Sequence, residues 1–477
     1  GGTDWDFLFL RFIIRTRLLT LLTRFKEAGR ELKAGIACAG AMSPSSRRSD
    51  FLSAAYTRLG MLHFFILRFT KNYTIVHYFE QGYRYYLENP EPVQGPTSQA
   101  NVNAYVIQVG YPANPGEIDA FIALCSAIIP YSSAVQGGYL FGVDTLSRAE
   151  LAYYQGDLDK AEQFARQAIF QSREKHQYEI ESRAIFYLMQ ISVHRGDAAG
   201  SRELERQLKN LLEKDIYLNR YIIYEIVMGR FYTRLGLTEK IVPWLKKERE
   251  ERESNSVIRG LDTLMKARSL FVEKDYPAAL EALKREQDKG ELGSFLLGFL
   301  EMSALEAVIR HRLDDREGAL GALKKAFDAA RPYALNMPFI ELGEAMHSLA
   351  GAILKAPPAP PAGPGPRSAE NAGIPREWLQ TIRRGASTYV KKSALVTAHY
   401  TDREMPASSD FSPHELAILR SLSQGRTSEE IAGAMCISVK MVRSAIRSLY
   451  VRLGATNRTG AVRIAAGRGL LTDAETR

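Results

Sequence analysis

The chain has 477 residues, 45% of them hydrophobic and 25% charged, the balance of soluble globular protein, which excludes a wholly disordered chain. Its three cysteines (Cys38, Cys125, Cys436) stand far apart, with no CxxC pair and no histidine at ligand spacing, which excludes a disulfide scaffold or zinc module and fits a reducing cytoplasm. The formal net charge is +9, and residues 374–471 alone hold 15 Lys and Arg against 7 Asp and Glu, so the C-terminal end is the part suited to an anionic partner.

Residues 1–50 read as an N-terminal helical segment. Its apolar stretch, Phe7 to Phe25, is interrupted by Arg11, Arg15, Arg17 and Arg24. It therefore lacks the unbroken run of ~18 residues that a bilayer span needs, and a signal peptide keeps its charge ahead of the apolar centre rather than inside it. A packing helix is favoured over a basic membrane-surface helix. The chain opens Gly-Gly rather than Met, as a cloning scar or a piece of something longer would.

Residues 51–355 carry helical periodicity almost throughout, with loops expected at 35–50 and 89–100. A turn signal recurs at Gly156-Asp157, Gly196-Asp197, Gly236, Lys274-Asp275 and Asp314-Asp315, in steps of 40, 40, 39 and 39 residues. Such a period predicts a helical solenoid, one antiparallel helix pair per unit. Ala149, Ala152 and Tyr153 precede the first turn, and Ala161, Ala165 and Ala168 follow it, small residues that let two helices approach closely. GDLDKAEQFARQAI is the strongest tetratricopeptide-like match; KDYPAALEAL and DDREGALGALKKAF are good, and the Gly196 and Gly236 units are loose. Two further repeats are expected before Asp144, because 53–89 and 116–136 are also helical. Residues 356–373 read as an extended linker, with six prolines between Pro357 and Pro366. Residues 374–410 read as a basic connecting helix and loop.

The last unit, 411–471, is legible from its caps. Ser412-Pro413-His414-Glu415 and Thr427-Ser428-Glu429-Glu430 are capping boxes, the first with proline at its favoured position. A three-residue turn then leads to Ser438, which caps a helix from Val439 to about Leu453. Val442, Ile446, Leu449 and Leu453 make its apolar stripe, and Lys440, Arg443, Ser444 and Arg447 its outer face. A fourth helix follows Asn457. Helix, short helix, tight turn and longer basic helix make a helix-turn-helix. The stretch FSPHELAILRSLSQGRTSEEIAGAMCISVKMVRSAIRSLYVRLGATNRTGAVRIA closely resembles the LuxR/NarL-type (GerE-like) DNA-binding domain, in roughly 60 of the 477 residues. Met441 stands where that family usually has Thr, Ala445 where it often has His, and Arg443 and Arg452 where Lys is common, so a different preferred operator is expected. The whole chain looks like MalT-like regulators of this family. It has no GxxxxGK[ST] loop, hence no STAND ATPase module in this chain, and no strand-helix alternation of a receiver.

The resemblance implies base contacts by Arg443, Ser444 and Arg447, which share one solvent face. Lys440, Arg452, Asn457 and Arg458 fit phosphate contacts; Thr427 and Ser428 are also within reach, with capping the more natural duty for Thr427. It further implies operator binding as a homodimer through the last helix, about 458–468. The expectation is thus an all-α bacterial transcription regulator of the cytoplasm, its partner double-stranded DNA. Its repeat region is read either as the sensor of a small ligand or as a scaffold for a protein partner. Tyr154, Tyr187, Tyr221, Tyr224 and Tyr232 are candidate ligand contacts, against the plainer reading as inter-helix core. No HExxH, GxSxG or phosphate loop occurs, so no enzyme, cofactor, metal or membrane role is expected.

Overall fold

The structure is a computed structural model, and it describes residues 9, 11–16, 19, 24–65, 72–90, 105–246, 261–289, 295–355, 373–401, 411–435 and 437–471. Its described regular structure is helical, with a single isolated bridge between Gly110 and Phe295. The proline-rich linker, Cys436 and the loop 402–410 lie outside these residues, apart from Gly373 at the linker's end.

Three helices lead: α1 (Phe25–Gly40), α2 (Ser46–Phe65) and α3 (Asn72–Glu88). Leu52, Ala55, Leu59 and Leu62 of α2 pack on Ala28, Leu32 and Ala39 of α1, and Phe9, Phe12 and Leu19 join that cluster, so the N-terminal apolar stretch packs against protein. The expected boundary at residue 50 falls inside α2, and the expected loop at 35–50 shrinks to a turn between α1 and α2. The following α4 (Glu117–Val135) is long and apolar enough to cross a bilayer by length and composition. Its Leu124, Cys125 and Ile128 are buried among Phe64, Ile75 and Phe79.

The repeats follow as α5 (Val143–Gln155) with α6 (Leu158–Glu174), α7 (Tyr178–Arg195) with α8 (Ala198–Asn210), α9 (Arg220–Leu235), α10 (Leu261–Val272) with α11 (Tyr276–Lys289), and α12 (Leu296–Arg312) with α13 (Arg316–Ala330). Each recurrent turn position is left-handed: φ is +95° at Gly156, +72° at Gly196, +73° at Gly236, +65° at Lys274 and +57° at Asp314. In four units an aspartate follows and caps the next helix. Asp157 accepts from Lys160 N at 3.2 Å, Asp197 from Gly200 N at 2.8 Å, Asp275 from Ala278 N at 3.1 Å and Asp315 from Gly318 N at 2.9 Å. Ala161, Ala165 and Ala168 are fully buried in the seam between helices. The Gly236 unit has Leu237-Thr238 in place of the aspartate, and the chain there makes two single 3-10 turns, Thr238–Lys240 and Pro243–Leu245.

The array ends in α14 (Met337–Ile340), α15 (Gly343–Lys355) and α16 (Arg376–Thr401). The basic α16 was expected as a connector; instead it is part of the repeat body. Leu379, Ile382, Ala386, Tyr389, Val396 and Tyr400 recur at helical spacing and are buried in the same core as the repeats, leaving Arg384, Lys391 and Lys392 in solvent. Its Tyr389 hydroxyl donates to Arg234 O at 3.3 Å and its Thr397 hydroxyl to Leu235 O at 3.4 Å, capping the end of α9.

Curling of the array brings charged side chains of distant helices together on its axis. Arg234 reaches Glu341 at 3.0 Å and Glu301 at 3.3 Å, and Arg268 reaches Glu301 at 3.3 Å. Tyr154 donates to Glu301 at 2.6 Å, and Tyr153 donates to Glu341. Burial pushes the Glu341 carboxyl up, but the Arg234 charge, the His194 ring 3.7 Å away and the hydrogen bond from Tyr153 prevail and hold it far below the usual carboxylate range. Such charges survive burial only because each is paired and hydrogen-bonded.

Candidate nucleic-acid interface

Four helices build the C-terminal unit: α17 (Pro413–Ser423), α18 (Ser428–Met435), α19 (Val439–Leu453) and α20 (Arg458–Gly467). The local signals act as read. Ser412 and Glu415 form a full capping box, with Glu415 N donating to Ser412 Oγ at 3.2 Å and Ser412 N to Glu415 Oε2 at 2.9 Å. Thr427 and Glu430 make the second, at 3.2 and 2.7 Å; the hydrogen bonds from Thr427 hold the Glu430 carboxyl below its ordinary range. Ser438 accepts from Met441 N at 3.2 Å, which starts α19, and Gly454 at φ +72° ends it. Val442, Leu449 and Leu453 are buried and Ile446 half-buried, all packed with Ile418, Leu419, Ile431 and Ala465.

That buried stripe turns Lys440, Arg443, Ser444 and Arg447 outward, and all four are exposed. Arg443 and Arg447 lie one turn apart on one face. Arg443 makes an exposed ion pair with Glu429 of α18 at 2.7 Å, a partner the sequence reading missed. Capping-box patterns hide such a residue, because an acid in a helix's first turn already has a reason to be there.

The six expected phosphate contacts divide. Lys440 is exposed beside the reading face, and Thr427 and Ser428 sit at the start of α18, Thr427 as its cap. Arg452 binds both oxygens of Glu415 at 2.8 Å, with its guanidinium 4.4 Å over the Phe411 ring. Asn457 caps α20, accepting from Gly460 N at 2.8 Å. Arg458 donates from both Nε (2.9 Å) and Nη2 to Leu422 O, tying α20 to the end of α17. Asn457 and Arg458 are thus committed to the fold of the unit.

The fold sets the candidate ligand tyrosines in or against the repeat core. Tyr154, Tyr187 and Tyr224 are buried in the repeat core, Tyr154 bonded to Glu301 and Tyr187 to Glu150, and Tyr221 and Tyr232 are half-buried beside Arg220 and Tyr400. Helical spacing had placed them on the inter-helix face, where packing takes them. Among the described residues no cluster of His, Cys, Asp and Glu has the makings of a metal site.

A repeat solenoid carrying a helix-turn-helix with a basic outward face defines a class, the multi-domain regulatory proteins. Comparison with known proteins makes it particular. Residues 123–356 match the MalT-like TPR region, and residues 409–465 match the bacterial regulatory proteins of the luxR family. The chain thus carries a MalT-like TPR region followed by a luxR-family domain. It is 40% identical over 58 residues to the transcriptional regulatory protein YdfI of Bacillus subtilis (strain 168), a match that covers 12% of this chain and 27% of that protein. The chain thus spans about a quarter of that relative's length.

Proposed function

We propose that this protein is a transcription regulator that reads double-stranded DNA by laying α19 in the major groove. The observation that carries the reading is the outward face of Arg443, Ser444 and Arg447 on a helix whose opposite face is buried. A guanidinium fork matches guanine O6 and N7, and two forks one turn apart span neighbouring bases. Lys440, Thr427 and Ser428 lie where a phosphate strand would flank that groove, and Arg452 contributes from behind Glu415. Two copies bind one operator through α20, in the cytoplasm, and the repeat body controls that binding in response to an effector, a small molecule or a protein. The burial of Tyr154, Tyr187 and Tyr224 argues against an effector pocket built on them.

The test is a titration on a duplex selected by the full chain from a random pool, beside a scrambled duplex, at two salt concentrations. Arg443→Ala and Arg447→Ala should each lose roughly 5- to 150-fold on the selected duplex, with little change on the scrambled one. Lys440→Ala should weaken both alike and lower the salt slope by about one. Equal losses on both duplexes for the two arginine variants would make them phosphate clamps and defeat the assignment. Saturation at one chain per two-half-site duplex would defeat the dimer.

A further inference from the structure

A regular repeat covers the outer side of its first helix with its second. On α9 the described residues after Gly236 supply only two 3-10 turns, and the helix-turn-helix unit fills the remaining space. Ile222 and Ile226 of α9, Ile241, Leu245 and Met265 form one continuous apolar cluster with Phe411, Ile418, Leu419 and Leu422. The repeat side of this cluster is itself tightly packed: a side chain at Gly229 would come within 2.8 Å of Leu245 and 3.1 Å of Met265.

In the middle of this contact sits the buried Glu225. Its carboxylate accepts from Trp244 Nε1 at 2.5 Å and from the backbone N–H of His414 at 3.2 Å, and the buried His414 ring lies 3.8 Å away. His414 is the second residue of α17, where backbone N–H groups have no partner inside the helix and favour negative charge. A carboxylate of the repeat body thus caps a helix of the other unit. The contacts continue inward: the capping-box acid Glu415 holds Arg452, which lies over Phe411 of the docked cluster. Meanwhile Lys440, Arg443, Ser444 and Arg447 stay exposed. Arg230 and Arg234 follow one and two turns after Ile226 on the same helix, so α9 carries both the dock and the buried charges.

We propose that the face formed by Ile222, Glu225, Ile226 and Trp244 is a docking cradle for the helix-turn-helix unit of the same chain, holding it with its reading face outward in the orientation competent for DNA. Glu225 is a positioning residue: it fixes the start of α17 and, through Glu415, the place of Arg452. The orientation rests on the DNA reading above; the dock itself does not.

The experiment uses the full chain with Glu225→Ala, Glu225→Gln and Trp244→Phe, read by amide hydrogen exchange and by binding to the selected duplex, with circular dichroism confirming that each variant retains its helices. Glu225→Ala should speed exchange of the His414 amide and its first-turn neighbours tenfold or more, weaken duplex binding about tenfold and lower the salt slope by about one as Arg452 loses its register. Glu225→Gln keeps an acceptor oxygen and should recover most of each effect; Trp244→Phe should fall between. Unchanged exchange in Glu225→Ala would overturn the cradle. Tighter duplex binding by Glu225→Ala would make the contact inhibitory and overturn the competent orientation. Failure of the unsubstituted chain to bind any duplex in the pool would defeat the DNA reading and the orientation with it, while His414 protection that depends on Glu225 would still establish the dock.

Discussion

The four units with an aspartate after the turn and the Gly236 unit solve one problem in opposite ways. In the former, a left-handed residue ends the first helix, an aspartate caps the second, and the second covers the first within about 40 residues of sequence. In the latter, Leu237 replaces the aspartate and the chain makes two 3-10 turns, so α9 takes its cover from His414 and its neighbours, 189 residues further on. The difference teaches that one missing cap in a repeat can turn an internal surface into an interdomain one. The units with aspartate caps are locally determined, whereas the Gly236 unit is completed from a distance.

The largest blow to this comparison comes from α9 itself, because it belongs to both arrangements. Arg234→Ala leaves the buried Glu341 without its arginine and Glu301 with Arg268 as its nearest one, and should cost about 3–5 kcal/mol in urea denaturation. A loss near that of a surface substitution would mean that the axial pairing contributes little to holding the array together.

A smaller effect should appear with pH at the dock. Burial pushes the Glu225 carboxyl up to about 7 and the His414 imidazole down to about 4. A raised carboxyl contributes stability that is full below its unfolded value of 4.5 and is lost as pH rises through 7. A depressed imidazole contributes stability that is full above 6.5 and is lost as pH falls through 4. The nearby Glu415 raises both groups. Between roughly pH 4.5 and 6.5 the two slopes oppose, so the unsubstituted chain should be nearly level there. Glu225→Gln removes one slope and should leave a chain that loses up to about 1.4 kcal/mol per unit of acidification over the same window. Parallel stability profiles for the two proteins would rule out this pairing.

The smallest effects belong to the turns. Gly156→Ala and Gly236→Ala put a side chain into open space at positive φ, so their cost is conformational, about 1–2 kcal/mol. Lys274→Gly and Asp314→Gly should instead gain about 0.5 kcal/mol, the relief of strain being partly offset by the freer unfolded chain. Thermal unfolding of the four variants checks both signs. A stabilising Gly236→Ala would mean that this turn is held by the dock rather than by its own backbone.

The sequence was readable wherever the structure is decided within a few residues. The period of the turns, the aspartate caps, both capping boxes and the outward face of α19 all follow from hydrogen bonds and spacing over one or two helical turns. What it hid depends on distant packing. Arg230 and Arg234 look like a solvated pair one turn apart until the superhelix curls Glu301 and Glu341 against them. The prolines ahead of α16 suggest a connector, yet its apolar stripe closes the repeat core. Tyr154 and Tyr187 carry the composition of a binding surface and the spacing of a core, and spacing prevailed. Glu225 sits within YEIVMG as one acid in an apolar run, and nothing near it in sequence reveals that its partner is an N–H group of another unit.

The axial charge network changes how this solenoid should come apart. A stack whose units touch only their neighbours unfolds piecemeal, fraying from its ends. Here Arg234 is bonded to groups 67 and 107 residues away, and Tyr153 to one 188 residues away, so early and late units share the same bonds. Opening the early end strips Glu341 and Glu301 of their tyrosine hydrogen bonds, and opening the late end takes both carboxylates from Arg234, so partly open forms should be penalised relative to both the intact and the fully unfolded chain. The array should thus unfold in a single cooperative transition and tolerate deletion of whole units poorly.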